Sequence, residues 1–274
     1  MAFEPRLPPE NNVTPTHPLV ELVTLLGGIA LAAAVITGVA AVAVDVAVRF
    51  APASMEASVF GGLWDDLESG AEDPSLAASR ALLERLAAHA QGSPLNLRLG
   101  VMEDPSLNAF ALPGGAIFVT RGLLDQVESE NELAFVLAHE LGHFHGRDHL
   151  RAAGRALLLG LALAALTGDS GAEALPALVS TLTQLGFARE QELRADRFAL
   201  QLVDLEYGHV KGALGFFEQL PGAEANGVGD RLGAYLATHP LTHDRREAMM
   251  DLARNRGWAS EGTLRSLPPA FAQP

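Results

Sequence analysis

The residues best suited to chemistry lie in one short stretch, His139-Glu140-Leu141-Gly142-His143. Two histidines four residues apart lie on the same face of a helix, where both imidazoles can bind one metal ion. Glu140 sits next round the turn, close enough to take a proton from a water molecule at the metal without being a ligand itself. The pattern therefore predicts part of a catalytic zinc site on a helix over residues 132–144.

A catalytic zinc site needs a third protein ligand, and without cysteine it must be a histidine or a carboxylate. His149 completes the metzincin pattern H-E-x-x-H-x-x-G-x-x-H, but metzincins also need a methionine turn, and the two downstream methionines stand in a charged stretch. Glu192 falls on the apolar face of a predicted helix over 185–203, where a carboxylate needs a cation. Asp196, one turn later, can accept a hydrogen bond from a ligand imidazole. These observations favour Glu192.

Four motifs in this order resemble the HtpX, Oma-type and CaaX prenyl endopeptidase family of zinc metalloproteases. They are Asn108–Gly122, which is similar to the segment before the active-site helix in the Oma-like branch, the H-E-x-x-H motif at His139–His143, the stretch Ala188–Asp196, and Thr238-His239-Pro240 followed by Arg245. The resemblance covers roughly residues 70–255.

The resemblance implies a gluzincin-type metallopeptidase domain, mainly helical with a small β-sheet (α+β), whose edge strand lines the cleft. It also implies the role of each site residue. By resemblance, His139, His143 and Glu192 bind one Zn²⁺ per chain, Glu140 is the general base, Asp196 supports a ligand, His239 stabilises the oxyanion, and Arg245 orients substrate or His239. A surface histidine before a proline is the alternative reading of His239.

The elements that must position these residues can be predicted from periodicity. Residues 74–91 have the apolar spacing of an amphipathic helix, and Leu95–Val101 alternates as a strand does. Asn108–Thr120 is predicted to be a hairpin turning at Pro113-Gly114-Gly115. Its first strand could bind an extended peptide as an added strand, through residues Asn108, Ala109, Phe110 and Ala111. Residues 152–187 are predicted to form a helical hairpin, either a packed core pair or a flap that touches membrane or covers the site.

Leu22–Val44 contains 23 residues and none of them is charged. As a helix it would be about 34 Å long, enough to cross a bilayer once. A cleaved signal peptide and a buried core helix are the alternatives. We therefore predict an irregular tail over 1–18, a transmembrane anchor over 19–48, a zinc metallopeptidase domain over 60–260 and a C-terminal tail over 261–274.

The net charge of −14 disfavours nucleic acid as a partner. The expected partners are protein or peptide substrates and a membrane. A single span favours a catalytic domain beside the membrane, and we expect a bacterial inner-membrane protein with its site on the periplasmic side. The resemblance to the Oma-like branch implies a role in protein quality control of membrane or envelope proteins. The alternative function is a non-catalytic or chaperone-like membrane protein that retains a structural zinc site.

Overall fold

The computed structural model describes residues 17–62, 64, 73–90, 97–167, 186–213, 238–239 and 243–271. The chain divides into two units, Met1–Asp45 and Val46–Pro274. The predicted tail over 1–18 therefore falls almost wholly outside the described residues, as does the second helix of the predicted hairpin.

The first helix, α1, runs from Pro18 to Phe50. Its length and composition would allow it to cross a membrane, and it is the one helix in the described ranges that meets this test. None of its most apolar stretch is buried. Because so large an exposed apolar surface is rare on a soluble protein, the helix has the character expected of a membrane span.

The second unit is mainly helical with a small sheet, as the sequence predicts. Its described helices are α2 (Ala53–Phe60), α3 (Pro74–His89), α4 (Arg121–Gln126), α5 (Glu130–Gly146), α6 (Asp148–Thr167), α7 (Arg189–Tyr207) and α8 (His243–Arg256), followed by a 3₁₀ turn at Pro269–Phe271. The amphipathic helix predicted over 74–91 is α3, and the two predicted ligand-bearing helices are α5 and α7. These three assignments are confirmed.

The sheet has three strands in the order β1-β3-β2: β1 (Arg98–Met102), β2 (Ala109–Leu112) and β3 (Ala116–Thr120). Strands β2 and β3 form the predicted antiparallel hairpin, while β1 pairs with β3 in parallel. Strand β2 is therefore an edge of the sheet as described.

Both faces of the hairpin are covered. Side chains on one face, such as Ala109 and Ile117, belong to the main core with α3, α5 and α7. Side chains on the other face, including Phe110 and Phe118, form a smaller cluster against Trp64. This two-sided burial holds the edge strand between the core and the segment that follows α1.

Helix α5 is the centre of the core, since every residue from Asn131 to Phe144 is buried. It begins at Ser129, whose side chain accepts a hydrogen bond from the Glu132 amide. It ends before Arg147, which adopts the left-handed conformation (φ 57°) that terminates many helices.

Residues of the predicted C-terminal tail also pack on the core. Leu267 and Phe271 lie against it, and the Arg265 carbonyl accepts a hydrogen bond from the Glu130 amide.

Candidate active site

The two histidines of the motif face each other on α5. The Nε2 atoms of His139 and His143 are 3.1 Å apart, and both side chains are buried. One helical turn separates the two residues, so their imidazoles point to the same side of the helix. Sequence spacing alone was enough to predict this pair.

Glu192 reaches the same point from α7. Its Oε1 lies 3.3 Å from His143 Nε2, and its Oε2 lies 3.6 Å from His139 Nε2. The helices approach so closely at Gly142 that a Cβ there would lie 2.7 Å from the Ala195 Cα. Glycine at position 142 therefore allows the third predicted ligand to reach the other two.

A carboxylate stands behind each imidazole. Asp196 Oδ1 lies 3.1 Å from His139 Nδ1, as its spacing from Glu192 predicts. Arg245, itself buried, contacts both oxygens of Asp196 at 2.8 Å and places Nη1 2.6 Å from Glu192 Oε2. Arg245 thus lies among the buried carboxylates and compensates their charge.

The sequence reasoning missed Asp148. Its Oδ2 lies 3.2 Å from His143 Nδ1, and its Oδ1 accepts hydrogen bonds from Gln191 at 2.7 Å and Arg194 at 3.1 Å. Asp148 begins α6 directly after the left-handed turn at Arg147, and that turn brings it back to the end of α5. Helical spacing gives no signal for such a contact, because the two residues belong to different helices.

His239 lies closer to the predicted ligands than its proposed catalytic role requires. Its Nδ1 is 3.2 Å from both His139 Nε2 and Glu192 Oε1. Phe187 packs over the same group, with its ring 3.9 Å from that of His143 and its amide bonded to the Thr238 carbonyl. His139, His143, Glu192 and His239 together form a buried group able to hold one metal ion.

Glu140 is fully buried, and neither of its carboxylate oxygens has a hydrogen-bond partner within the part of the chain that the structure describes. The His239 Nε2 atom lies 3.6 Å from Glu140 Oε1. A buried carboxylate is costly unless a polar group or a cation faces it. Glu140 therefore fits a position beside a metal ion and a reacting molecule.

The geometry of the four donors fits a metal ion. Neighbouring donor atoms round the group of His139, His143, Glu192 and His239 are 3.1, 3.3, 3.2 and 3.2 Å apart. All four donor atoms lie within 4.8 Å of one another, which places them round one point where an ion could bind. The surrounding charge also fits, because three buried carboxylates, those of Glu140, Glu192 and Asp196, have one buried arginine, Arg245, among them.

The electrostatics of the group follow from that surplus of carboxylates. Burial alone would lower the pKa of His143, but hydrogen bonds to Asp148 and Glu192 outweigh it and raise the pKa to about 9. Burial would raise the pKa of Glu192, yet hydrogen bonds from His143 and His239 hold it well below its usual range. Glu192 thus keeps its negative charge beside the imidazoles, where a cation can bind.

Two other histidines close to the motif lie outside the metal-capable group. His149, the metzincin alternative, places its Nε2 2.8 Å from Glu56 Oε1 and is not part of the metal-capable group. His145 stacks on Phe198. The literal metzincin pattern is therefore wrong for this chain.

Residues 77–253 match the sequence profile of peptidase family M48. The chain belongs to peptidase family M48. This confirms the family resemblance predicted from the motifs, and the domain over the matched residues is a metallopeptidase domain. The M48 match begins within α3 and ends within α8, so it includes every residue of the metal-capable group.

Several proteins are similar to the M48 domain of this chain. The mitochondrial metalloendopeptidase OMA1 of Schizosaccharomyces pombe is 34% identical over 166 residues, which cover 60% of this chain and 49% of OMA1. Metalloendopeptidase OMA1 of Bos taurus is 32% identical over 167 residues, covering 57% of this chain and 32% of that protein. Metalloprotease YcaL of Escherichia coli is 26% identical over 176 residues, covering 62% and 66%. The chain thus spans half or less of the OMA1 proteins and about two thirds of YcaL.

Proposed function

We propose that this chain is a membrane-anchored zinc metalloendopeptidase. One observation carries the proposal: His139, His143 and Glu192 converge to contact distance beside Glu140, whose buried carboxylate has no hydrogen-bond partner among the described residues. A metal-binding group next to an uncommitted carboxylate is the arrangement that hydrolysis of a peptide bond requires.

The donor set of imidazole and carboxylate, with no sulfur, suits one zinc ion held by His139, His143 and Glu192. When bound, zinc would supply Lewis acidity, polarising a carbonyl oxygen and making a water molecule more acidic. Asp196 and Asp148 would hold His139 and His143 with Nδ1 toward the carboxylate and Nε2 toward the metal.

Glu140 carries the proton transfers, and His239 stabilises the oxyanion. Glu140 accepts a proton from water as the water oxygen adds to the peptide carbonyl carbon. It then returns that proton to the amide nitrogen as the C–N bond breaks. His239 Nε2, which faces Glu140, would donate a hydrogen bond to the oxyanion.

Strand β2 is the proposed substrate-binding element. Residues Ala109 to Leu112 pair with β3 on one side, and their other edge lies at the border of the described sheet. An extended peptide added there would be held by main-chain hydrogen bonds whatever its side chains. Substitutions over Asn108–Ala111 that leave both peptide affinity and turnover unchanged would rule this out.

The deciding experiment compares the purified chain with Glu140→Gln. We expect the parent to bind about one zinc and to cleave casein, and the variant to bind zinc equally but to lose cleavage by at least ~100-fold. Glu84→Gln, an exposed glutamate on α3, is the matched control. Equal cleavage by the Glu140→Gln variant and the parent would disprove the proposed mechanism.

A second candidate function is supported by His239. If its Nδ1 occupies a fourth ligand position, the site is closed and resembles a structural zinc site. The two functions predict opposite results for His239→Ala. If the site is structural, the parent should cleave nothing, and His239→Ala should lose zinc and unfold at a lower temperature than the parent. If the site is catalytic, His239→Ala should keep zinc and lose turnover.

The membrane assignment rests on α1. We propose that residues 19–48 anchor the chain by one span, that residues 60–260 form the catalytic domain, and that this domain lies on the periplasmic side of a bacterial inner membrane. The exposed apolar helix supports the single span. A topology reporter fused after residue 274 should be active only in the periplasm, and cytoplasmic activity would reverse the orientation.

The proposed substrates are unfolded or misassembled membrane or envelope proteins. Strand addition requires an extended peptide, so a folded protein offers few segments that reach β2. The test uses one substrate in two states, such as a small protein with its disulfides intact and the same protein reduced and alkylated. Faster cleavage of the unfolded state is expected, and equal rates would contradict this substrate class.

A further inference from the structure

Glu56 and His149 form a buried contact that the proposed chemistry does not use. Glu56 lies on α2 and is 5% exposed, while His149 on α6 is 1% exposed. The Glu56 Oε1 atom lies 2.8 Å from His149 Nε2 and also accepts a hydrogen bond from the Gly114 amide at 3.0 Å. A buried carboxylate is unfavourable without such partners, so the hydrogen bonds of Glu56 are needed to keep it in this position.

The two partners of Glu56 belong to the two elements that must cooperate in the proposed reaction. Gly114 lies in the turn between β2 and β3, at one end of the proposed substrate strand. His149 lies on the first turn of α6, directly after the active-site helix α5. One carboxylate oxygen therefore joins the substrate hairpin to the first turn of α6, which follows the active-site helix.

Neighbouring residues reinforce this connection. Trp64 Nε1 donates to the Pro113 carbonyl at 2.6 Å, and Arg98 Nη1 on β1 donates to the Gly61 carbonyl at 2.5 Å. Gly114 has φ +93°, and a Cβ there would lie 2.9 Å from the Phe60 backbone. The hairpin turn is thus shaped to receive the end of α2.

A second contact reaches the end of α5 itself. Arg147, its C-terminal cap, donates to the carbonyls of Val48 and Ala51 at the end of α1. All of these contacts lie within the unit that begins at Val46. Helix α2 with Gly61 and Trp64, which we name the strap, therefore contacts the hairpin turn, strand β1 and helix α6.

We propose that the strap positions the edge strand β2 against the active-site helix α5, with Glu56 as its central positioning residue. The inference rests on the proposed peptidase function and adds a determinant of substrate binding to it. Glu56 touches neither the metal-capable group nor Glu140, so it acts through the elements that it holds, the hairpin turn and the first turn of α6. Loss of the strap should weaken peptide binding while the chemical step continues.

The test compares Glu56→Ala with the full parent chain on a peptide substrate. We expect KM to rise by about 10-fold, kcat to stay within about twofold and zinc content to stay unchanged, because uniform binding is lost. Glu56→Gln keeps an acceptor oxygen and should restore a KM close to that of the parent. Ser58→Ala, on the same helix and exposed, with its hydroxyl donating to the Ser54 carbonyl, is the control.

Two results would overturn the proposal: an unchanged KM in Glu56→Ala, or a fall in kcat accompanied by zinc loss. If Glu56→Ala does not fold, Trp64→Phe removes the bond to Pro113, keeps the aromatic packing on Phe118, and should still raise KM. An unchanged KM there counts against the strap as well.

Failure of the proposed function is distinguishable from failure of the strap. A parent chain that cleaves nothing would disprove the function. The strap would then be tested by hydrogen exchange at the Gly114 amide, which should be faster in Glu56→Ala than in Ser58→Ala. Equal exchange rates in the two variants would disprove the strap.

Discussion

At the scale of single residues, the site is governed by how buried carboxylates are satisfied. Asp196 accepts hydrogen bonds from Arg245, and Asp148 accepts them from Gln191 and Arg194. These bonds fix the position of each carboxylate beside its imidazole. Such outer partners set which ring nitrogen carries the proton and keep the metal-facing nitrogen free. The metal affinity of the site should therefore depend on residues that do not touch the metal.

Asp148→Ala tests this dependence. The variant should bind zinc about 10–100-fold more weakly, because His143 loses the carboxylate that orients it. Competition with a chromophoric chelator measures the affinity directly. Arg151→Ala is the matched control, since it removes a partner of Asp148 Oδ1 and leaves the Oδ2 contact with His143 intact. Equal zinc affinity in the parent and Asp148→Ala would contradict this role.

Residue-level prediction succeeded where one helix or one apolar face carries the signal. His139 and His143 share a helix, and Glu192 and Asp196 share another, so spacing was enough to group each pair. Asp148 and Glu56 escaped because their partners lie on other elements. The structure brings the predicted ligands together, while their individual roles stay predictions.

At the scale of elements, the spacing between α5 and α7 is the critical dimension. Gly142→Ala would place a Cβ 2.7 Å from the Ala195 backbone, which must force the helices apart. We expect a loss of about 1–3 kcal/mol in unfolding free energy and weaker zinc binding. Urea denaturation and zinc titration measure the two effects.

Gly160→Ala is the control for the glycine substitution itself. Gly160 lies within α6 with open space around its Cα, so alanine there should be neutral or should stabilise the helix by up to ~1 kcal/mol. If the two variants have the same unfolding free energy and zinc affinity, the close contact between α5 and α7 does not determine the stability or the zinc binding of the site.

Helix α3 carries a pH dependence. Burial would raise the pKa of its N-cap residue Asp73, but hydrogen bonds from Ser75 and Arg121 outweigh it and lower the pKa to about 2. Because the folded-state pKa lies below the unfolded value, this stabilisation is complete above about pH 4 and is lost as the pH falls toward 2. Asp73→Asn keeps the helix cap but removes the charge. Between about pH 4 and pH 2, the unfolding free energy of this variant should therefore fall less than that of the parent. An unchanged acid dependence would contradict the assignment.

The elements that could be predicted were those in which the spacing of apolar residues is regular over many positions. Helices α3, α5 and α7 and the β2–β3 hairpin show it, and they were found close to their observed bounds. The parallel pairing of β1 with β3 was not predicted, because pairing between distant strands leaves no local pattern. Helices α2 and α4 are only 8 and 6 residues long, too short for periodicity to identify them.

At the scale of the whole molecule, the apolar surface of α1 must be covered. Leu31→Arg combined with Val35→Arg introduces two charges into its middle, each costing about 2.5–3.5 kcal/mol in a bilayer. The parent should float with membranes in a density gradient, and the variant should not. Leu205→Arg combined with Leu264→Arg, at exposed leucines of the second unit, should leave flotation unchanged. Flotation of all three proteins would contradict the anchor.

The close approach of Gly142 to Ala195 also affects the conformational entropy that the chain loses when a metal ion binds. Packing between two helices fixes the distance between the donor atoms, so little conformational entropy has to be lost when the ion binds. In zinc fingers, by contrast, the ion supplies the folding free energy itself. The chain should therefore keep its helical circular dichroism after chelation, and it should bind zinc again without refolding.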